Sequence, residues 1–331
     1  MATTINGETP AETAPYAEND KLGPLGAPVS ALRDPADLRK TLLRAFASAV
    51  RDAQKAAASV DDHMHEAVHD ARKALRRARS VLRMVAPALP KSERRAIEQT
   101  LQEARRSMSS TRDHAVAPVA LERLVLGDED RATASRVLEN AARALPAVAE
   151  IKQLVHDAAA RAATQLEVLD AALPAEVPWD VVREGIEDVY GEARGARRSA
   201  KRSTPWFHAW RRRTKELTYQ LDFVAEHSGP RVAAIHGEMA SISDLLGPAV
   251  DLVMLRDFVE THGQGIPSGE LRHLQQAIDA QLADLVKEGR RAARDTFRQK
   301  PKKFGKRLTK AVRRDLTPAD DADSDGEIAG G

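Results

Sequence analysis

Apolar residues return every three or four positions through most of the chain, the spacing that gives an α-helix one dry face and one wet one. Val68, Ala71, Leu75, Ala78 and Leu82 show it in one stretch, and Phe207, Trp210, Leu217 and Leu221 in another. Asp34-Pro35 is a start signal, with Asp34 as N-cap and Pro35 at the first helical position. Long runs rich in Ala, Leu and Arg follow, broken at Pro87–Pro90, Pro146, Pro174–Pro178, Pro205, Gly229-Pro230, Gly247-Pro248 and Gly265–Pro267. Breaks at this spacing predict helices of roughly 15 to 30 residues packed as bundles. Residues 1 to about 29 hold Pro10, Pro15, Pro24 and Pro28 and no helical period, so a disordered leader is expected. Thr317 to Gly331 carry Asp320, Asp321, Asp323, Asp325 and Glu327 and no base, which predicts a disordered acidic tail from residue 316. That tail is either a solubilising end or an intramolecular competitor for basic surface.

Composition supports the helical pattern. Aromatics make up only 4% of the 331 residues, so the core is built from Ala, Leu and Val rather than from the residues a large sheet favours. The absence of cysteine excludes a disulfide scaffold, a thiol nucleophile and a thiolate zinc site. No run of about 18 apolar residues and no basic-then-apolar leader occur, so a soluble, cytoplasmic protein with no membrane partner is expected. No GxxxxGK[ST] and no HExxH is found.

The formal net charge of +2, from 51 Lys and Arg against 49 Asp and Glu, hides strong segregation. Residues 287–314 hold 13 basic residues against Glu288 and Asp295, and residues 194–215 hold nine and no acid. Residues 72–83 add Arg72, Lys73, Arg76, Arg77, Arg79 and Arg83, again with no acid. Local potential rather than net charge decides what such a chain attracts.

Two of these segments are related. Val68-His69 through Arg76 aligns with Phe207-His208 through Lys215 at an offset of 139, and Arg112-Asp113 aligns with Val250-Asp251 at 138. Two blocks in the same order at nearly one offset indicate a duplicated unit. On a helix, His69, Arg72, Arg76, Arg79 and Arg83 fall within an arc of roughly 80°. His208, Arg211 and Lys215 repeat that arc beside an apolar one. A solvated face normally mixes signs to gain i,i+4 pairs, so a stripe of one sign is best explained by an external anion. Guanidinium forks match phosphate oxygens, and the rail from 72 to 83 spans about 16 Å. Phe207 and Trp210 fall on the apolar arc, so base stacking is poorly supported.

His with Arg at +3 and bases at +7, +8 and +10, once per half, resembles the hallmark of the CHAD domain (conserved histidine α-helical domain). The first half carries His69, Arg72, Arg76, Arg77 and Arg79; the second carries His208, Arg211 and Lys215, with Glu216 and Thr218 where the first has Arg77 and Arg79. Arg112-Asp113 and Leu246 through Asp251 are similar to the family's downstream blocks. Tyr190 followed by Arg194, Arg197, Arg198 and Lys201, and Lys300-Pro301-Lys302-Lys303-Phe304, are similar to its later helices. The resemblance covers residues 30–315, with halves of about 30–173 and 176–315. It implies an all-α fold of two pseudo-symmetric four-helix bundles with a basic surface and central pore. It also implies binding of inorganic polyphosphate and association with polyphosphate granules. No ExExK signature of the triphosphate-tunnel domains sometimes fused to this family is found, so the chain resembles a stand-alone member.

The expected polyphosphate-binding residues are therefore His69, Arg72, Arg76, Arg77, Arg79 and Arg83 on one rail and His208, Arg211 and Lys215 on its partner. Arg194, Arg197, Arg198, Lys201, Arg290, Arg291, Arg294 and Arg298 are expected supplements. Arg72 and Arg76 face away from the apolar arc, so their removal is expected to weaken binding without unfolding. No catalytic residue, metal or cofactor is expected. His63, His65 and His69 lack an evident further ligand and sit beside arginines. Asp113 and Asp251 are expected to anchor an Arg or a helix end, each in its own half. The basic run 298–314 is expected to be a packed helix, on Phe297, Phe304, Leu308 and Val312. The alternatives are a nucleic-acid-associated basic protein, with weak binding of DNA or RNA, and a metal-dependent enzyme acting on phosphate chains.

Overall fold

The computed structural model describes residues 29–200 and 203–317, and every regular element among them is helical. The expected leader up to residue 28, Lys201 and the expected tail beyond Thr317 lie outside the described residues. Twelve α-helices follow one another: α1 (Pro35–Ala58), α2 (Met64–Val85), α3 (Lys91–Ser107), α4 (Ser109–Glu122), α5 (Asp128–Arg143), α6 (Val148–Ala172), α7 (Trp179–Ser199), α8 (Thr204–Glu226), α9 (Pro230–Leu245), α10 (Gly247–His262), α11 (Ser268–Ala292) and α12 (Pro301–Leu316). None of them is long and apolar enough to cross a membrane.

Asp34 caps α1 as its position implies: its carboxylate accepts from the N–H groups of Ala36 at 2.8 Å and Asp37 at 2.9 Å. Each proline or glycine break in the sequence falls between helices or in a first turn. Other breaks carry no such mark. The α1–α2 turn is closed by Ser59, whose N–H donates to the Lys55 carbonyl at 3.1 Å and whose Oγ donates to Ala56 O at 3.1 Å. Only the buried Met108 separates α3 from α4. The run 298–314 is not one helix, because α12 begins only at Pro301. Phe297 is buried in the preceding loop, 5.4 Å from the Tyr190 ring, which stacks on Phe304 at 4.1 Å.

Packing follows the apolar stripes. α1 and α3 each lie against α2 and α6, closing one four-helix bundle, and α7 and α9 each lie against α8 and α12, closing a second. The halves meet through the remaining helices, α4 against α10 and α5 against α11, and through the bundle helices α2 and α8. Of these pairs, the 139 offset relates α2 to α8 and the 138 offset relates α4 to α10. Alanines make the close approach of α1 and α2 possible, with Ala49, Ala53 and Ala56 facing inward from one and Ala67, Ala71, Ala74 and Ala78 from the other. The ends of the fold are tied by Arg33, whose guanidinium donates to the Leu316 carbonyl.

Candidate functional site

The two motif helices, α2 and α8, meet at the junction of the halves, and with α4 and α10 they enclose a cavity of about 820 Å³. His69, Arg72, Arg76 and Arg79 line it from α2, and His208, Arg211, Arg212 and Lys215 from α8. Arg105 enters from α3, Arg112 and Asp113 from α4, and Asp251 and Asp257 from α10. The lining holds nine Lys and Arg against five Asp and Glu, so the wall is net positive without being free of acids. His69, Arg72, Arg76 and Arg79 of one predicted rail thus share a concavity with His208, Arg211 and Lys215 of the other.

Depth divides the rails. Arg72 is buried and donates to the Arg105 carbonyl at 2.8 Å and to Ser109 Oγ at 3.1 Å, so it holds the end of α3 rather than standing free. Arg72 lies off the apolar arc of its helix, but this tie to α3 corrects the expectation that it is free of the packing. Burial, and then the Arg105, Arg76 and Arg112 charges, push its pKa down to about 9. A guanidinium is still charged there at neutral pH, and the depression records positive charge crowded into a dry wall. Arg79 is buried as well and reaches across the junction to Glu216 of α8. Glu216 also holds Arg213 at 2.5 Å, so the acid that departs from the first motif serves as a partner for two arginines.

Asp251 likewise serves the other half. Arg112 donates to Asp113 at 3.1 Å and to Asp251 at 3.1 Å, so one guanidinium from α4 bridges the two aspartates, correcting the expectation that Asp251 works within its own half. The residue aligned with Arg112 is Val250, which explains why a single arginine is shared. Burial raises the Asp251 pKa above the usual aspartate value, against the pull of Arg112, Arg211 and Arg123.

Arg76, Arg105 and Arg212 remain. No carboxylate among the described residues lies within ion-pairing distance of any of them. Burial, followed by the Arg76 and Arg212 charges, brings the Arg105 pKa down to about 10, which places Arg105 in the field of the other two guanidinium groups. Arg76 Nε, the Tyr219 hydroxyl and Ser243 Oγ line the same cavity, buried and without a hydrogen-bond partner among the described residues. Sequence reasoning missed Arg105, which lies in the mixed-sign helix α3, and left Arg212 off the rail because it is one position away from the stripe. His69 is exposed at the cavity and His208 is half-buried there. Burial holds the His208 pKa below the usual imidazole value, and Asp257 opposes that shift.

Other predicted residues lie away from the cavity. Arg83 pairs with Glu192 at 2.7 Å and Arg77 with Asp52 at 3.6 Å. Arg194 donates to the Phe297 carbonyl at 3.2 Å. Arg197 donates to the Arg290 carbonyl and Arg290 to the Arg197 carbonyl, so each caps the C-terminal turn of the other's helix. Arg198, Arg291, Arg294 and Arg298 are exposed and outside the lining. Phe207 and Trp210 are fully buried, as their arc implies.

Fold and site together define an all-helical protein whose two related helices face each other across a cationic cavity. The chain belongs to the CHAD domain family, whose model matches residues 15–260. The described helices continue past that match through α11 and α12. A crystal structure of the CHAD domain from the plant Ricinus communis is similar at a TM-score of 0.53 and 19% identity, over 80% of this chain and 97% of that one. At that identity the likeness concerns the fold alone. No curated protein matches the chain.

Proposed function

We propose that this protein binds inorganic polyphosphate in the cavity between α2 and α8 and does not turn it over. The observation that carries the proposal is the trio Arg76, Arg105 and Arg212, which share one cavity and have no carboxylate partner among the described residues. Arg76 and Arg105 are half-buried and Arg212 is exposed, so their guanidinium groups stand at the cavity wall beside buried, unpartnered donors, where phosphate oxygens fit the fork geometry. Three of the five carboxylates in the lining are engaged: Asp113 and Asp251 hold Arg112, and Glu216 holds Arg79 and Arg213, while Asp244 and Asp257 stand apart from these pairs. That engagement favours a binding module over an enzyme. The destination would be cytoplasmic polyphosphate granules.

The test is a titration with long-chain polyphosphate at several NaCl concentrations, with orthophosphate release followed in the same samples. Tight binding that weakens steeply with salt and releases no phosphate is expected. Arg76→Ala with Arg212→Ala should lower affinity at least about tenfold and flatten the log–log salt dependence by roughly one to two units. Unchanged affinity in that double variant would remove the cavity from consideration. Metal-dependent orthophosphate release would make the protein an enzyme instead.

A further inference from the structure

α12 carries a second cationic surface, which the cavity does not use. Its apolar stripe, Phe304, Leu308, Ala311, Val312 and Leu316, is spent on the fold. The opposite face exposes Lys302, Lys303, Lys306, Lys310, Arg313 and Arg314, none with a carboxylate within ion-pairing distance among the described residues. These positions span about 18 Å along the helix axis. A solvated helix can carry unpaired lysines without purpose, but the fold supplies its own control. In the first bundle α6 occupies the place that α12 takes in the second, packed on α1 and α3 as α12 is on α7 and α9. α6 holds Glu150, Asp157, Glu167 and Asp170 against only Lys152 and Arg161. The position in the bundle therefore does not demand a basic helix.

The placement separates this face from the cavity. Within the second bundle α12 touches α7 and α9, and so does α8, which sets α12 and α8 on opposite corners. α8 turns Arg211, Arg212 and Lys215 to the cavity, and α12 turns its lysines outward, so about two helix layers, roughly 20 Å, lie between. The two surfaces also differ in kind. The cavity is concave and Arg-lined, open to a narrow chain. The α12 face is convex and Lys-rich, with no exposed aromatic for stacking and no exposed large apolar side chain for insertion into a bilayer. A flexible chain has much freedom to lose on such an open face, whereas a stiff rod arrives with its phosphates already in place.

We infer that the outer face of α12 is a sequence-independent docking surface for the phosphate backbone of duplex nucleic acid, independent of what fills the central cavity. The test compares the full chain with Lys302→Ala, Lys306→Ala, Lys310→Ala and Arg313→Ala combined, measuring binding to a labelled random-sequence duplex by anisotropy across NaCl concentrations. The four-site variant should lose at least tenfold in duplex affinity, and its log–log salt slope should shrink by roughly three to four. Its polyphosphate affinity should stay near that of the parent, while Arg76→Ala with Arg212→Ala should leave duplex binding intact. Unchanged duplex binding in the four-site variant would overturn the inference. Loss of polyphosphate rather than duplex binding would do so too, as would binding of vesicles rich in anionic lipid in preference to the duplex. Because polyphosphate is titrated separately, failure of either site leaves the other's result readable.

Discussion

Arg72 and Arg76 sit one turn apart on the same stripe of α2, yet one is a structural tie and the other a free charge. Arg72 reaches the last turn of α3, and its loss would leave the Arg105 carbonyl without that donor. The burial that depresses its pKa is itself a cost, so the net penalty of Arg72→Ala is the lost hydrogen bonds and packing less that cost, about 1 to 2 kcal/mol. Arg76 has no such tie, and Arg76→Ala should change stability by no more than about 0.5 kcal/mol. Urea unfolding of the two single variants checks this, and equal destabilisation would show that both are structural. Helical periodicity put both residues on one arc, which was right. It could not tell how deep each guanidinium goes, because depth depends on what the neighbouring helix presents. Here that is the carbonyl end of α3, a backbone feature with no side-chain signature. Arg105 was illegible for the related reason that its partners, Arg76 and Arg212, come from two other helices.

At the scale of helices, the junction of the halves rests partly on a missing side chain. Gly185 of α7 lies against the backbone carbonyls of Arg83 and Met84 at the end of α2, so closely that an added Cβ would overlap them. Backbone cannot swing aside as a side chain can, so Gly185→Ala should force α7 off α2 and destabilise by about 2 kcal/mol or more. Gly195, ten positions along the same helix, meets nothing within 4 Å. Gly195→Ala should therefore stabilise by about 0.5 to 1 kcal/mol through helix propensity alone. Thermal unfolding of both variants separates contact from propensity, and two shifts of the same sign would contradict the packing. The helices themselves were largely readable, since prolines and glycines mark most ends and the two motif blocks mark α2, α4, α8 and α10 as related. The α1–α2 and α3–α4 turns were not readable, because neither contains a proline or glycine and Met108 is a good helix former.

Across the whole molecule, the two halves contribute unequally to the cavity's response to acid. Glu216, Asp244, Asp251 and Asp257 all come from the second half, while Asp113 alone comes from the first. Burial lowers the His208 pKa from its usual 6.5 and raises that of Asp251 from its usual 3.8, so each group is held toward its uncharged form. His262 shifts downward as well, through burial and the charge of His114. Each proton taken up there adds positive charge to the wall, on an imidazole or by cancelling a carboxylate. Protonation and anion binding therefore favour each other, and affinity must rise as pH falls. As the pH falls below 7 polyphosphate affinity should increase, by about tenfold for each proton taken up, the scale expected for one charge a few ångströms from the ligand in a partly dry site. Asp251→Asn should bind more tightly than the parent at pH 7 and less steeply with acid, and His208→Gln should lose part of the gain at pH 5. Calorimetry in buffers of different ionisation enthalpy would show proton uptake on binding at pH 6. An affinity that does not rise at any pH below 7 down to the limit of folding, with no proton uptake, would mean that the anion does not lie against these residues.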